Sequence, residues 1–151
     1  YGRIPTDEIT NRFKACSNIL LEGFVTYEQV KHLMYHSTIL FHAESQDAKY
    51  EESLRYGFTT KIADSLSCGV PFLMYSRPSV AGADYIIETK AGWYASNKRE
   101  LKECIIQVLY NSERRSIVLE RAKEIAFLNH NEKRLRVKFV QLIQDLCNGK
   151  K

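Results

Sequence analysis

The run from Tyr56 to Pro71, YGFTTKIADSLSCGVP, holds the residues whose types and spacing could do chemistry. A polar loop containing Gly57 leads into a helix start where Thr59 and Thr60 offer hydroxyls, the first backbone N–H groups lack intrahelical partners, and Lys61 adds a full positive charge. Together these groups make an anion site of the size a diphosphate needs. Asp64 follows Thr60 by one helical turn, so its carboxylate can face the same space and accept two ribose hydroxyls. The competing reading of the same residues is that the threonines only cap the helix and that Lys61 and Asp64 are solvated.

For such a site to form, neighbouring elements must hold the loop. Thr59-Thr60-Lys61 opens a helix that turns Ile62, Ala63 and Leu66 inward and stops at Cys68-Gly69, where Gly adopts a left-handed C-terminal conformation and Pro71 blocks continuation. Short apolar runs at residues 18–25, 38–41 and 72–75 read as buried strands, with Trp93-Tyr94 as a last one. Between them, Pro5-Thr6-Asp7-Glu8 starts a helix running to about Ala15, with Asp7 able to cap it. Thr26 with Gln29 forms a capping-box pattern for a second helix that Ser37 closes. Residues 42–57 and 76–84 read as loops, followed by one helical turn at Tyr85-Ile86-Ile87-Glu88 and a turn at Gly92. The remainder is helical over about 98–110, 113–128 and 132–147, capped by Asn97, Ser112 and Asn131, and Leu135, Phe139, Leu142, Ile143 and Leu146 share one stripe of the last helix. Strands alternating with helices at this spacing predict an α/β fold: a parallel sheet with helices on both faces and a ligand site at the carboxyl ends of the strands.

Composition supports this reading and narrows the class. At 151 residues, 44% hydrophobic and 26% charged, the chain is one domain's worth of globular protein. It contains no apolar run of the ~18–20 residues that cross a bilayer. Four widely spaced cysteines give neither a zinc ribbon nor a disulfide framework, so reduced thiols and a cytoplasmic location are expected. The net charge of +4 is mild, and residues 112–151 alone carry ten Lys/Arg against five Asp/Glu. Without aromatics interleaved in that basic segment, no nucleic-acid partner is expected. His32 and His36 lie i, i+4 on a helix, but no third ligand is evident, and no metal is expected. Trp93 and Tyr94 read as core more than as a sugar platform, and Ser65, Ser67 and Cys68 have no visible His–acid partner that would make a nucleophile.

The stretch FTTKIADSLSCGVPFL resembles the nucleotide-sugar-binding signature of the C-terminal Rossmann-like domain of GT-B glycosyltransferases, family four and its relatives. Against the variant P-[ST]-K-x-x-[DE]-x-x-x-x-G-x-P, the sequence departs at Thr59, which stands in place of the Pro. The ILLEGFV run followed by Tyr27-Glu28-Gln29-Val30, the STILF run at residues 37–41, and Tyr85-Ile86-Ile87-Glu88 with Gly92 resemble further family segments, so the likeness covers about residue 18 onward. It implies a Rossmann-like three-layer α/β/α sheet that is half of a GT-B architecture. It also implies that residues 1–151 are the C-terminal nucleotide-sugar-binding domain of a longer enzyme, with Tyr1-Gly2 at the end of an earlier strand.

The implied activity is retaining transfer of a sugar from a nucleotide-diphosphate donor, expected to be a UDP-sugar, to an acceptor held mainly by an N-terminal domain. No other cofactor is implied. The resemblance assigns the donor diphosphate to Thr60 and Lys61, with Lys61 the catalytic charge, and the ribose to Asp64. It gives the base to backbone groups near Phe24 and Val25, and the donor loop to Tyr56, Gly57 and Thr59. Many relatives carry a Glu eight positions before the ribose-binding acid. Here that position is Tyr56, which puts the sugar contact and the retaining outcome in question, with Glu51 and Glu52 as nearby substitutes and His42 as a further sugar or phosphate contact. Peripheral association of the longer enzyme with the inner membrane face is a further expectation. The rivals are a GT-B sugar-nucleotide epimerase and a non-catalytic α/β binding or receiver-like module; a receiver would need Asp at strand ends, where this chain has His42 and Ala43.

Overall fold

The computed structural model describes residues 6–21 and 23–149. The expectations for Tyr1-Gly2 and for the Lys150-Lys151 tail lie outside them, as does Glu22. The chain divides into two compact units, Tyr1–His36 and Ser37–Lys151, described in turn.

The first unit contains α1 (Asp7–Lys14) and α2 (Tyr27–Tyr35). Asp7 does not cap α1. It is the first helical residue, with Thr6 before it making no side-chain cap bond, and it acts with Glu8 as a favourable charge on the helix start. The capping box of α2 is formed: Gln29 N–H donates to Thr26 Oγ1 at 3.3 Å and Thr26 N–H to Gln29 Oε1 at 2.8 Å. The helix ends at His36, not Ser37. Between the helices the expected strand over 18–25 is not found: the described residues there form turns and irregular extended chain. Apolar side chains alone do not make a strand, which needs a neighbour's N–H and C=O groups to complete a ladder, and among the described residues none pairs with this run.

The second unit is built on a three-stranded parallel sheet, order β1-β2-β3, from β1 (Leu40–Ala43), β2 (Phe72–Tyr75) and β3 (Trp93–Ala95). Leu40 pairs with Phe72 and Ala43 with Tyr75; Leu73 pairs with Trp93 and Tyr75 with Ala95. The first strand starts two residues later than the apolar run predicts, because the ladder with β2 sets the register. Two segments read as loops contain helices. A 3₁₀ turn (Ala48–Tyr50) and α3 (Glu51–Tyr56) occupy most of 42–57, and α5 (Ala81–Thr89) begins four residues before the single turn expected at Tyr85. The others are α4 (Lys61–Ser67), α6 (Lys98–Tyr110), α7 (Ser112–His130) and α8 (Glu132–Cys147). Asn111, not Ser112, caps α7, its side chain accepting from Arg114 N–H at 2.9 Å.

Successive side chains of β2 point to opposite faces, and each face is covered. Phe72 and Met74 pack with Ile62 and Leu66 of α4, Ala83 and Ile86 of α5, and Ala122 and Ile125 of α7. Leu73 packs with Trp93, Val108 of α6 and Val118 of α7. This is the three-layer α/β/α arrangement the sequence predicts. Trp93 is 5% exposed and belongs to the core. The apolar stripe of α8 is not buried: Leu135, Phe139, Leu142, Ile143 and Leu146 are all exposed, and no residue of that helix is buried.

Candidate functional site

The chain leaves β1 at its carboxyl end and re-enters the sheet at the amino end of β2. The connection, whose last helix is α4, therefore crosses the sheet, and α4 starts at the carboxyl edge. The helix is anchored by burying Ile62, Ser65 and Leu66, and Gly69 ends it at φ +69°. Lys61 and Asp64, three apart, lie on the opposite, solvent-facing side as neighbours along one stripe. Neither has an ion-pair partner among the described residues. Thr60 occupies the N-cap position but makes no side-chain cap bond, leaving its hydroxyl for another acceptor or donor. Thr59 Oγ1 accepts a long bond from Lys61 N–H, 3.4 Å. With only seven residues, α4 carries a short dipole, and its first N–H groups are partly engaged, Lys61 N–H by Thr59 Oγ1 and Ile62 N–H by the Thr59 carbonyl, so the positive character here comes chiefly from the Lys61 ammonium.

The loop ahead of α4 has its own logic. Tyr56 ends α3 and is strongly exposed. At Gly57 a Cβ would stand 2.9 Å from the Ser53 carbonyl oxygen, so the backbone closes onto the last turn of α3 in a way only glycine allows. Thr59, Thr60, Lys61 and Asp64 are thus brought together with Tyr56 and Gly57 on one continuous segment. Phe24 and Val25 belong to the first unit; Phe24 is exposed and Val25 half-buried, just ahead of the α2 capping box.

Two further polar groups stand where β1 and β2 end. His42 Nε2 and Glu44 Oε1 are 2.7 Å apart, both largely shielded, since i and i+2 of an extended chain share a face. His42, a candidate ligand contact in the sequence, is thereby tied to a carboxylate that the sequence reading did not single out. Arg77, in the loop after β2, donates to Glu51 Oε2 at 2.9 Å and to the Gln46 carbonyl at 3.3 Å. That ion pair engages one of the two carboxylates considered as substitutes for the acid missing at Tyr56. Nothing in the sequence flagged Arg77, a single Arg in a loop with Pro78, because its partners lie 26 and 31 residues away.

The remaining candidates carry less chemistry. Burial, then the negative charge of Asp64, pushes the Cys68 thiol above its ordinary range, which keeps it protonated and poorly nucleophilic. His32 and His36 stack at 4.1 Å, with His36 Nδ1 2.7 Å from the His32 carbonyl oxygen, and the described residues hold no group of three metal-ligating side chains. No described helix is long and apolar enough to cross a membrane.

No protein-family model matches the chain, and neither does any curated protein. Among solved structures it is similar to WaaG, a glycosyltransferase involved in lipopolysaccharide biosynthesis, with a TM-score of 0.59 at 19% identity over 85% of this chain. The fold is that of a Rossmann-like half of the GT-B architecture. The match covers 33% of the WaaG chain, so this sequence spans about a third of that protein's length. The GT-B likeness read from the 56–71 segment and the likeness in three dimensions therefore agree on the fold.

Proposed function

We propose that this chain is the donor-binding part of a glycosyltransferase, taking a nucleotide-diphosphate sugar, with UDP-sugar the expected class. In this reading Thr60 and Lys61 hold the diphosphate and Asp64 accepts the ribose hydroxyls. The segment with Tyr56, Gly57 and Thr59 borders the donor. The observation that supports it most is the placement of Lys61 beside Asp64. The two are unpartnered on one exposed stripe of α4, at the edge where parallel sheets bind ligands, inside a segment that departs from the family signature only at Thr59.

The protein's contribution to transfer is electrostatic. As the bond from the sugar to the diphosphate breaks, negative charge grows on the leaving oxygen. A fixed ammonium lowers the energy of that state more than that of the bound donor. The acceptor and the transfer step belong to the longer enzyme, in which peripheral membrane contact and a cytoplasmic site of action are part of the same reading. Calorimetric titration with UDP and GDP, without added metal, tests it: saturable binding weakened by Lys61→Ala and by Asp64→Ala is expected. Wild-type affinity in both variants would remove the assignment.

A further inference from the structure

The donor segment is short of local restraints. Its helix has seven residues, Thr60 makes no cap bond and Thr59 makes only a long one. Yet the residue just before it is held from two distant parts of the second unit. The Phe58 ring meets the Tyr85 ring of α5 edge-on, centroids 5.1 Å apart at 83°, and lies nearly parallel to the His130 ring at the end of α7, 6.3 Å away at 18°. Tyr85 and His130 are themselves edge-on at 5.6 Å, their Oη and Nε2 atoms 2.8 Å apart. Asn129 Nδ2 donates to the same Tyr85 oxygen at 3.1 Å.

The bonding in this cluster follows from the groups. An amide NH₂ can only donate, so Tyr85 Oη accepts from Asn129 Nδ2, and the same oxygen shares a hydrogen bond with His130 Nε2 whose direction is set by the imidazole tautomer. Burial holds His130 below the usual histidine range, which keeps its imidazole uncharged at neutral pH. The Tyr85 backbone is also engaged, its carbonyl accepting from Thr89 Oγ1 at 2.6 Å. Phe58 therefore rests on two rings whose orientations are fixed by hydrogen bonds.

We propose that Phe58, Tyr85 and His130 form an aromatic latch that positions the 57–61 loop, and with it Thr60 and Lys61, for donor binding. This rests on the donor-site reading above and assigns positioning roles that neither the signature nor the fold match supplies. None of the three needs to touch the donor. Phe58 is 43% exposed, so its ring adds little to the core, and a purely structural role would leave ligand affinity alone when the ring is removed. A positioning role would not, because displacing a binding group by about 1 Å costs far more than the contact itself.

The test uses wild type, Phe58→Ala, Phe58→Tyr and Tyr85→Phe. Amide exchange at Lys61, Ile62 and Asp64 is read without ligand, and UDP affinity by calorimetry. Phe58→Ala is expected to exchange faster at these amides and to bind UDP about tenfold more weakly. Phe58→Tyr, which keeps the ring, restores both. Tyr85→Phe, which keeps the ring contact and loses the hydroxyl bonds, falls between and serves if Phe58→Ala does not fold. Wild-type exchange and affinity in Phe58→Ala would overturn the latch. If the wild type binds no UDP, the donor-site reading fails with the latch's role in binding, while the exchange comparison still decides whether the rings hold the loop.

Discussion

Gly92 lies so close beneath Phe72 that a Cβ on it would stand 2.8 Å from the Phe72 carbonyl oxygen and 3.2 Å from its ring. The oxygen belongs to the backbone of the central strand and cannot turn aside, so β2 and the turn into β3 are locked together by the absence of a side chain. Gly92→Ala should destabilise the second unit by about 1–3 kcal/mol. Urea unfolding reads this directly, and an unchanged midpoint would show that the strand can shift. Gly82→Ala should be milder although its Cβ would come within 2.9 Å of both Ile62 and Met74, because those atoms are the ends of flexible side chains.

Adjacent residues of α4 should separate stability from binding. Ile62 is fully buried against β2, and Ile62→Ala should cost about 2–5 kcal/mol. Lys61 is exposed and unpaired, and Lys61→Ala should leave stability within about 0.5 kcal/mol of wild type. Parallel thermal unfolding of the two variants checks this. A large loss of stability in Lys61→Ala would mean the lysine is structural and would undercut its use as a ligand probe.

The start of α6 should be acid-sensitive. Glu100 Oε2 accepts from both Ser96 N–H and Ser96 Oγ at 2.8 Å, while Asn97 Oδ1 accepts from Glu100 N–H at 3.0 Å. The Ser96 backbone bond, then its hydroxyl bond, holds the Glu100 carboxyl below its ordinary value of 4.5. With the folded value below the unfolded one, the unfolded chain binds the proton first. The stabilisation is therefore complete above the ordinary carboxylate range and is lost as pH falls through the folded value. Glu100→Gln should lower stability at neutral pH and flatten the acid side of a pH–stability curve. A variant curve parallel to wild type below pH 5 would contradict this.

What the sequence reveals depends on the reach of the interactions involved. The helices Lys98–Tyr110 and Glu132–Cys147, the Thr26–Gln29 box and the left-handed Gly69 are set by neighbours within a few residues, and all are legible. The Lys61–Asp64 stripe is legible for the same reason, being a spacing of three on a helix. The run at 18–25 has the apolar pattern of a strand and forms none, because a ladder partner cannot be seen in an apolar pattern. The helix Glu51–Tyr56 packs only Leu54 partly against the core and so shows no periodicity to find; the Arg77–Glu51 pair that ties it down spans 26 residues. The Tyr85–His130 bond, reaching across 45 residues, was likewise invisible.

The central claim is that Lys61 contacts the diphosphate of a nucleotide donor, and comparing UDP with UMP tests it most directly. Each is titrated calorimetrically into wild type and Lys61→Ala. The wild type should bind UDP more tightly than UMP, and the substitution should bring the two affinities together by weakening UDP alone. An unchanged UDP-to-UMP ratio in Lys61→Ala would contradict the claim.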